Sequence, residues 1–238
     1  RDVAPSRGLG DVYKRQIKQH SFGVMAGYNQ ESKKITALKT KVSGLYDNNT
    51  PVSDLATTLQ SIGEDATVWA VQGMFFRLNY DYLGRYLLEV NGRYDGSSRF
   101  APETRWGNFW SLGASWRVDR ESFMASTSDW LSALTLKMSY GAQGNDNLGT
   151  YYASKGLYSI VSNLGENALV SDRMATPNLK WETNLNFNVG IDFSLFNNRF
   201  SGSFDFFTRR SKDLLYSRPI APSLGYGSID ENVGALKN

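Results

Sequence analysis

Between Lys180 and Leu195 the side chains alternate without a break. Trp181, Thr183, Leu185, Phe187, Val189, Ile191, Phe193 and Leu195 fall on one side, and Lys180, Glu182, Asn184, Asn186, Asn188, Gly190, Asp192 and Ser194 on the other. A β-strand sends successive side chains to opposite faces, so this run is a strand with one apolar face and one face that wants water. Its sixteen residues are about three times the usual strand of roughly 5 to 6. A membrane-crossing strand needs only about 9 to 11. The chain therefore has to build a sheet whose two sides meet different solvents.

Six further segments carry the same alternation. Phe22, Val24, Ala26 and Tyr28 share a face, as do Met74, Phe76, Leu78 and Tyr80, which are backed by Arg77 and Asn79. Tyr86, Leu88, Val90 and Tyr94 are backed by Glu89, Asn91, Arg93 and Asp95. Trp110, Leu112, Ala114, Trp116 and Val118 stand against Ser111, Gly113, Ser115 and Arg117, and Leu134, Leu136, Met138, Tyr140 and Ala142 against Thr135, Lys137, Ser139 and Gln143. Beyond Phe200, Phe204 and Phe206 oppose Ser203, Asp205 and Arg209. The connections expected between these strands differ in length. They are long from Gln30 to Ala66, tight at Asp81 to Gly84, intermediate over DGSSRFAPET and from Asp119 to Trp130, long from Gly144 to Leu179, and tight at Asn197-Asn198. Short turns at one end and longer loops at the other are the habit of outer-membrane barrels, and they make the first, third, fifth and seventh strands run outward. Tyr80, Tyr86, Trp116 and Tyr140 lie near strand ends, where interface girdles of aromatic side chains belong.

Composition removes most other classes. The 238 residues are 41% hydrophobic and 21% charged, without the apolar run of about 18 residues that a membrane helix needs. With 13 Phe, 13 Tyr, 6 Trp and 22 Gly the profile is not that of a disordered or collagen-like chain. Cys is absent and His20 is the single histidine, so disulfide frameworks, thiolate zinc sites and Cys/His or Ser/His pairs have almost no material. The net charge of +3 owes most to Arg1, Arg7, Lys14 and Arg15 against Asp2 and Asp11, and no clustered basic face is left for nucleic acid. Residues 1–16, RDVAPSRGLGDVYKRQ, hold no apolar signal segment and end in DVYKRQ, which resembles a translated adapter. They are expected to be a non-native or disordered head, with the domain running over 17–238.

Two sets of side chains are candidates for function. Arg77, Glu89, Arg93, Asp95, Arg117, Lys137, Glu182 and Asp192 occupy the polar face and form a mixed-sign lining for a wide, watery or plugged lumen. Tyr151, Tyr152 and Tyr158 in the Gly144 to Leu179 loop, with Trp106, are candidate contacts for a substrate or a lid; Trp106 also suits an interface girdle. No catalytic constellation, metal site or cofactor site is expected. Glu64 and Asp65 are adjacent and would point to opposite sides of an extended segment, and GNDN at 144–147 lacks the acidic ligands of a calcium loop. Seven strands with open edges would leave unpaired backbone groups in lipid at several kcal/mol each, so the wall should belong to a larger barrel. A soluble sandwich serving as a secreted or surface carbohydrate-binding module, and a barrel enzyme, are the alternatives. Strand length argues against the first, and strand ends made mostly of Gly, Asn and Tyr against the second.

RLNYDYLGRYLLEVNGRYDGSSRF (77–100), RWGNFWSLGASWRV (105–118), LKMSYGAQGN (136–145) and PNLKWETNLNFNVGIDF (177–193) resemble, in order, barrel motifs of the SusC/RagA family of TonB-linked outer-membrane transporters, a family typical of Bacteroidota. NNRFSGSFDFFTRRSKDLL and NVGALKN extend the resemblance. The resemblance implies a plugged barrel of about 22 strands. It also implies an outer-membrane location and import of oligosaccharide or peptide fragments, without enzymatic activity. The implied partners are a SusD-like surface lipoprotein and, through the plug, the TonB-ExbB-ExbD complex. Signal peptide, plug, TonB box and the remaining strands are not found in these residues, which are expected to be a central to late portion of the wall.

Overall fold

The computed structural model describes residues 6–47, 49 and 52–238. These form a nine-stranded sheet, antiparallel throughout, from β1 (Ser6–Ile17), β2 (His20–Leu45), β3 (Ala56–Tyr82), β4 (Tyr86–Ser97), β5 (Trp106–Arg117), β6 (Leu131–Asn145), β9 (Glu182–Leu195), β10 (Phe200–Pro219) and β11 (Ser228–Lys237). A separate hairpin, β7 (Leu157–Asn163) and β8 (Glu166–Arg173), is inserted between β6 and β9. The fold is the all-β antiparallel wall read from the sequence, and it does not close on itself.

Register shows how the alternation becomes a surface. Residues paired across an antiparallel ladder share a face. Leu78 pairs with Val24 on one side and Val90 on the other, Val90 with Leu112, Leu112 with Tyr140, and Tyr140 with Phe187. One apolar band thus runs unbroken from β2 to β10, where Ile191 meets Phe204 and Val189 meets Phe206. These side chains are open to the surroundings, Met74 at 62% and Phe204 at 72% of full exposure. Soluble proteins rarely expose a contiguous apolar patch of more than a few hundred Å², so this band needs lipid. Among the described residues no helix is long and apolar enough to cross a membrane.

Both rims of the band are aromatic. At the short-turn end the rings of His20, Phe22, Tyr80, Tyr82, Tyr86 and Trp116 follow one another at 4.7 to 6.5 Å between centroids. At the long-loop end Trp106 stacks on Tyr94 at 4.8 Å, and Tyr140 meets Trp110 and Phe187 edge-on. From Tyr86 to Tyr94 a strand climbs about 27 Å, or roughly 20 Å after tilting, close to the band of about 25 Å expected of such barrels. The tight β9–β10 turn holds Phe196, Asn197 and Asn198 in the left-handed region, which asparagine tolerates better than most residues.

Four segments differ from the seven strands read from the sequence, the last being Ser228–Lys237, which adds β11. The Gln30 to Ala66 stretch, expected as a loop, continues β2 and β3 into a ribbon, because Thr, Ile and Val alternate there with Lys and Ser and sustain pairing from Ser32↔Ala70 to Leu45↔Ala56. β1 leaves β2 at Glu31 and β4 leaves β3 at Val71, so the ribbon projects alone for roughly 45 Å at about 3.3 Å per residue. The Gly144 to Leu179 stretch, also expected as a loop, contains the β7–β8 hairpin. Of the expected head, residues 1–5 lie outside the described residues, and Ser6–Ile17 pairs with β2 as β1.

Candidate functional site: inner wall and outer rim

The polar face carries three charge clusters, each closed within the wall. Arg77 Nε donates to Asn91 Oδ1 at 2.7 Å, and Asn91 Nδ2 donates to Glu89 Oε1 at 2.7 Å, with Arg77 and Glu89 3.8 Å apart. Arg93 holds Asp95 by two bonds at 3.0 and 2.9 Å, reaches Asn29, and lies over the ring of Phe75. Lys137 Nζ stands 2.8 Å from Asp192 and 3.2 Å from Asp205, and Lys137 and Asp205 face each other across Gly190. Apart from Asp95, which is buried, these side chains keep much of their exposure, where such pairs contribute about 0 to 1 kcal/mol each. The wall is a hydrated mosaic with most of its charges matched.

Two of the eight wall candidates have other work. Arg117 sits at the short-turn end and bonds Asp119 at 3.1 Å, whose second oxygen accepts the Leu134 N–H. Glu182 is buried, accepting from Asn184 Nδ2 at 3.1 Å and from the Leu215 N–H at 3.2 Å. That N–H follows a kink where Asp213 and Gly234 both adopt positive φ and drop out of the β10–β11 ladder. Asn232 closes the other side, giving Nδ2 to the carbonyls of Asp213 and Lys180 and taking the Lys180 N–H.

At the rim the quoted motifs meet. Phe100, Ala153 and Leu179 form a small dry core against Leu148, Trp181 and Leu215. Trp181 leaves the lipid-facing side to which alternation assigns it, packing on Phe100 and Phe109 and donating Nε1 to the Arg105 carbonyl at 2.7 Å. It can do so because regular pairing begins only at Glu182. Ser97 Oγ donates to Asp146 Oδ2 at 2.6 Å, and Arg99 Nη1 donates to the Asp146 carbonyl at 2.9 Å and to Asn147. Thr104 ties the same loop to the Leu179 carbonyl at 2.7 Å. DGSSRF, GNDN, PNLKWE and the ENVGA segment thus lock the outer ends of β4, β6, β9 and β11 together.

The loop tyrosines separate. Tyr151 lies 4.9 Å under the Arg99 guanidinium, which also faces Trp69 at 5.4 Å. Tyr152 accepts the Val68 N–H at 2.9 Å. Tyr158 is on β7, 67% exposed and away from both. Trp106 is occupied by its stacking on Tyr94. Arg99, Asp146, Asp205, Phe109 and Trp69 emerge only from the structure; for Asp205 the signal was its place opposite the Phe204 face, for the others nothing in the local sequence gives it.

At the opposite end Glu121 accepts hydrogen bonds from Tyr86 OH at 2.6 Å and Trp116 Nε1 at 3.0 Å and pairs with Arg85. The Tyr86 bond above all, then the Trp116 bond, holds its carboxyl below the usual carboxylate range. Among the described residues no group of three or more His, Cys, Asp or Glu is arranged to hold a metal.

Comparison with known proteins places this architecture. The family model described as TonB dependent receptor-like, beta-barrel, matches residues 6–238. A TonB-dependent receptor of Formosa agariphila is 34% identical over 196 residues, covering 80% of this chain and 18% of that protein. The TonB-dependent receptor SusC of Bacteroides thetaiotaomicron is 35% identical over 172 residues, covering 69% of this chain and 17% of that protein. The solved RagAB peptide transporter superposes with a TM-score of 0.88 at 27% identity, over 98% of this chain and 26% of that one. The chain spans about a fifth of the length of the curated relatives it matches. An open antiparallel wall with one lipid band, one polar lining and a motif-built rim belongs to the TonB-dependent receptor β-barrel family, in its SusC/RagA-like form.

Proposed function

We propose that these residues are part of the wall of an outer-membrane transporter that imports glycan or peptide fragments, works with a SusD-like surface lipoprotein, and draws energy from the TonB-ExbB-ExbD complex through a plug. The observation that carries this reading is the division of one sheet into an exposed apolar band between aromatic rims and a hydrated, charge-matched lining. Membership of the TonB-dependent receptor family supports it, as does the likeness to SusC and to the RagAB peptide transporter. In this reading the lining faces the plug, the long loops face the medium, and no bond is made or broken by the wall.

We further propose that residues 1–16 are foreign to the natural strand, although the family match begins at residue 6. β1 pairs Asp11 with Ala26 and Arg15 with Phe22, which sets two charges in the lipid band. Sequencing the source DNA across this point decides it. For the function, the gene is deleted and the cells are offered single glycans and peptide mixtures. Loss of TonB-dependent uptake of one class, restored by the full gene, is the expected result; unchanged uptake of both would overturn the reading.

A further inference from the structure

We propose that the free edge of β3 between Ile62 and Ala66 docks a short extended peptide bearing Lys or Arg, which adds to the projecting ribbon as a third strand. Beyond Val71 β3 has no strand neighbour on the β4 side. There the Ala70 N–H donates to Ser98 Oγ and the Ala70 carbonyl accepts the Ser98 N–H, both at 2.9 Å, and the Val68 N–H donates to Tyr152 OH. Backbone groups along an antiparallel strand point alternately to its two neighbours. Ala66, Glu64 and Ile62 therefore also point away from β2, whereas Asp65 and Gly63 face it through Ala37 and Lys39. Among the described residues the N–H groups of Ile62, Glu64 and Ala66 find no acceptor.

The edge is short and bounded. Tyr152 closes one end at Val68, and the register shift at Lys41/Val42 ends the regular ladder beyond Ser61 at the other. Five residues span about 17 Å at about 3.4 Å each, a length for a peptide rather than a sheet. A row of alternating amide donors and carbonyl acceptors is complementary to a polypeptide backbone, the basis of strand addition at sheet edges. Glycan chains have no matching ladder. Glu64 and Asp65 present a carboxylate on each face of the edge, and Ala56 to Thr67 contains no Lys, Arg or Pro, the usual edge guards. A basic strand would meet opposite charge on both faces, while a second copy of this edge would set acid against acid.

The placement of this edge at the outer mouth rests on the transporter reading, but the test reads binding and not uptake, so the two can fail separately. The full-length transporter in detergent is titrated with a fluorescein-labelled heptapeptide of alternating Lys and Val. Comparators are the same peptide N-methylated at alternate amides and a Glu-for-Lys version. Saturable binding is expected, at least tenfold weaker for both comparators and for Glu64→Pro, whose ring removes only an outward N–H and spares pairing with β2. Glu64→Gln with Asp65→Asn should erase the preference for Lys over Glu while keeping sensitivity to N-methylation. Hydrogen exchange should be fast at Ile62, Glu64 and Ala66 without peptide and slow with it, and slow at Gly63 and Asp65 in both. Equal binding of the N-methylated peptide, unchanged affinity in Glu64→Pro, or edge amides already protected without peptide by another loop or a second copy would overturn the proposal.

Discussion

Replacing Phe100 by Ala should release the outer rim while leaving the wall standing. Phe100 is 2% exposed, packed among Ala153, Leu179, Leu148, Trp181 and Leu215. A buried Phe contributes about 150 to 250 Å² of contact, and truncating one costs about 3 to 5 kcal/mol, transfer and cavity together. The core it anchors is small and fed by loops, so the cost falls on local opening of the Asp146 to Leu179 segment and not on unfolding of the sheet. At about 1.4 kcal/mol per tenfold, the open population should rise by roughly two to three and a half orders of magnitude. Thermolysin at low concentration on the full-length protein reads that population, provided reclosing is faster than cleavage. The expected result is cleavage confined to this segment and accelerated by about that factor, with the heat-modified gel shift of the barrel unchanged. Tyr158→Ala, at an exposed position on β7, should leave the rate alone. A Phe100→Ala rate within threefold of the parent would refute the claim that these contacts hold the rim.

Gly144→Ala drives a Cβ into the Phe109 ring, and overpacking of this kind should cost about 1 to 3 kcal/mol in urea unfolding, with Phe109→Leu in the same chain recovering much of it. Val90→Arg, in the lipid band opposite Leu78 and Leu112, should cost about 2 to 4 kcal/mol of folding stability in vesicles, while Asn91→Arg, one residue on but facing water, should cost far less; equal losses would contradict the assignment of faces. Glu121 is held below the usual carboxylate range, so its contribution is fully present above that range and lost as pH falls through the lowered value. A Trp116 fluorescence titration should show its transition below the ordinary Glu value of about 4.3, and Glu121→Gln should abolish it.

Alternation made the wall legible because a strand between lipid and water has no freedom to mix its faces. That Leu78, Val90, Leu112 and Tyr140 share one face follows from parity, whereas the register that pairs them comes from the structure. The ribbon escaped the reading because its two faces are alike: Lys33 and Lys39 stand in the same ladder as Ile35, and in the transporter reading both faces meet water beyond the lipid. The rim escaped for a different reason. Ser97, Thr104, Asp146, Trp181 and Asn232 act over separations of 49 to 76 residues in sequence, through contacts that no local pattern encodes. Glu182 shows the limit most clearly: parity assigned it to the lining, and the neighbouring kink of β10 turned it into a buried backbone acceptor.

The pairing of Arg77 with Glu89, Arg93 with Asp95, and Lys137 with two aspartates also bears on how a body could move along this wall. A lining whose charges are already matched presents a sliding surface with shallow wells, because a passing group gains little by stopping at any one pair and disturbs mainly water when it leaves. Friction against such a lining would be governed by solvent viscosity rather than by the rupture of ionic contacts. It should be nearly indifferent to salt across the range in which bare opposite charges would grip or release.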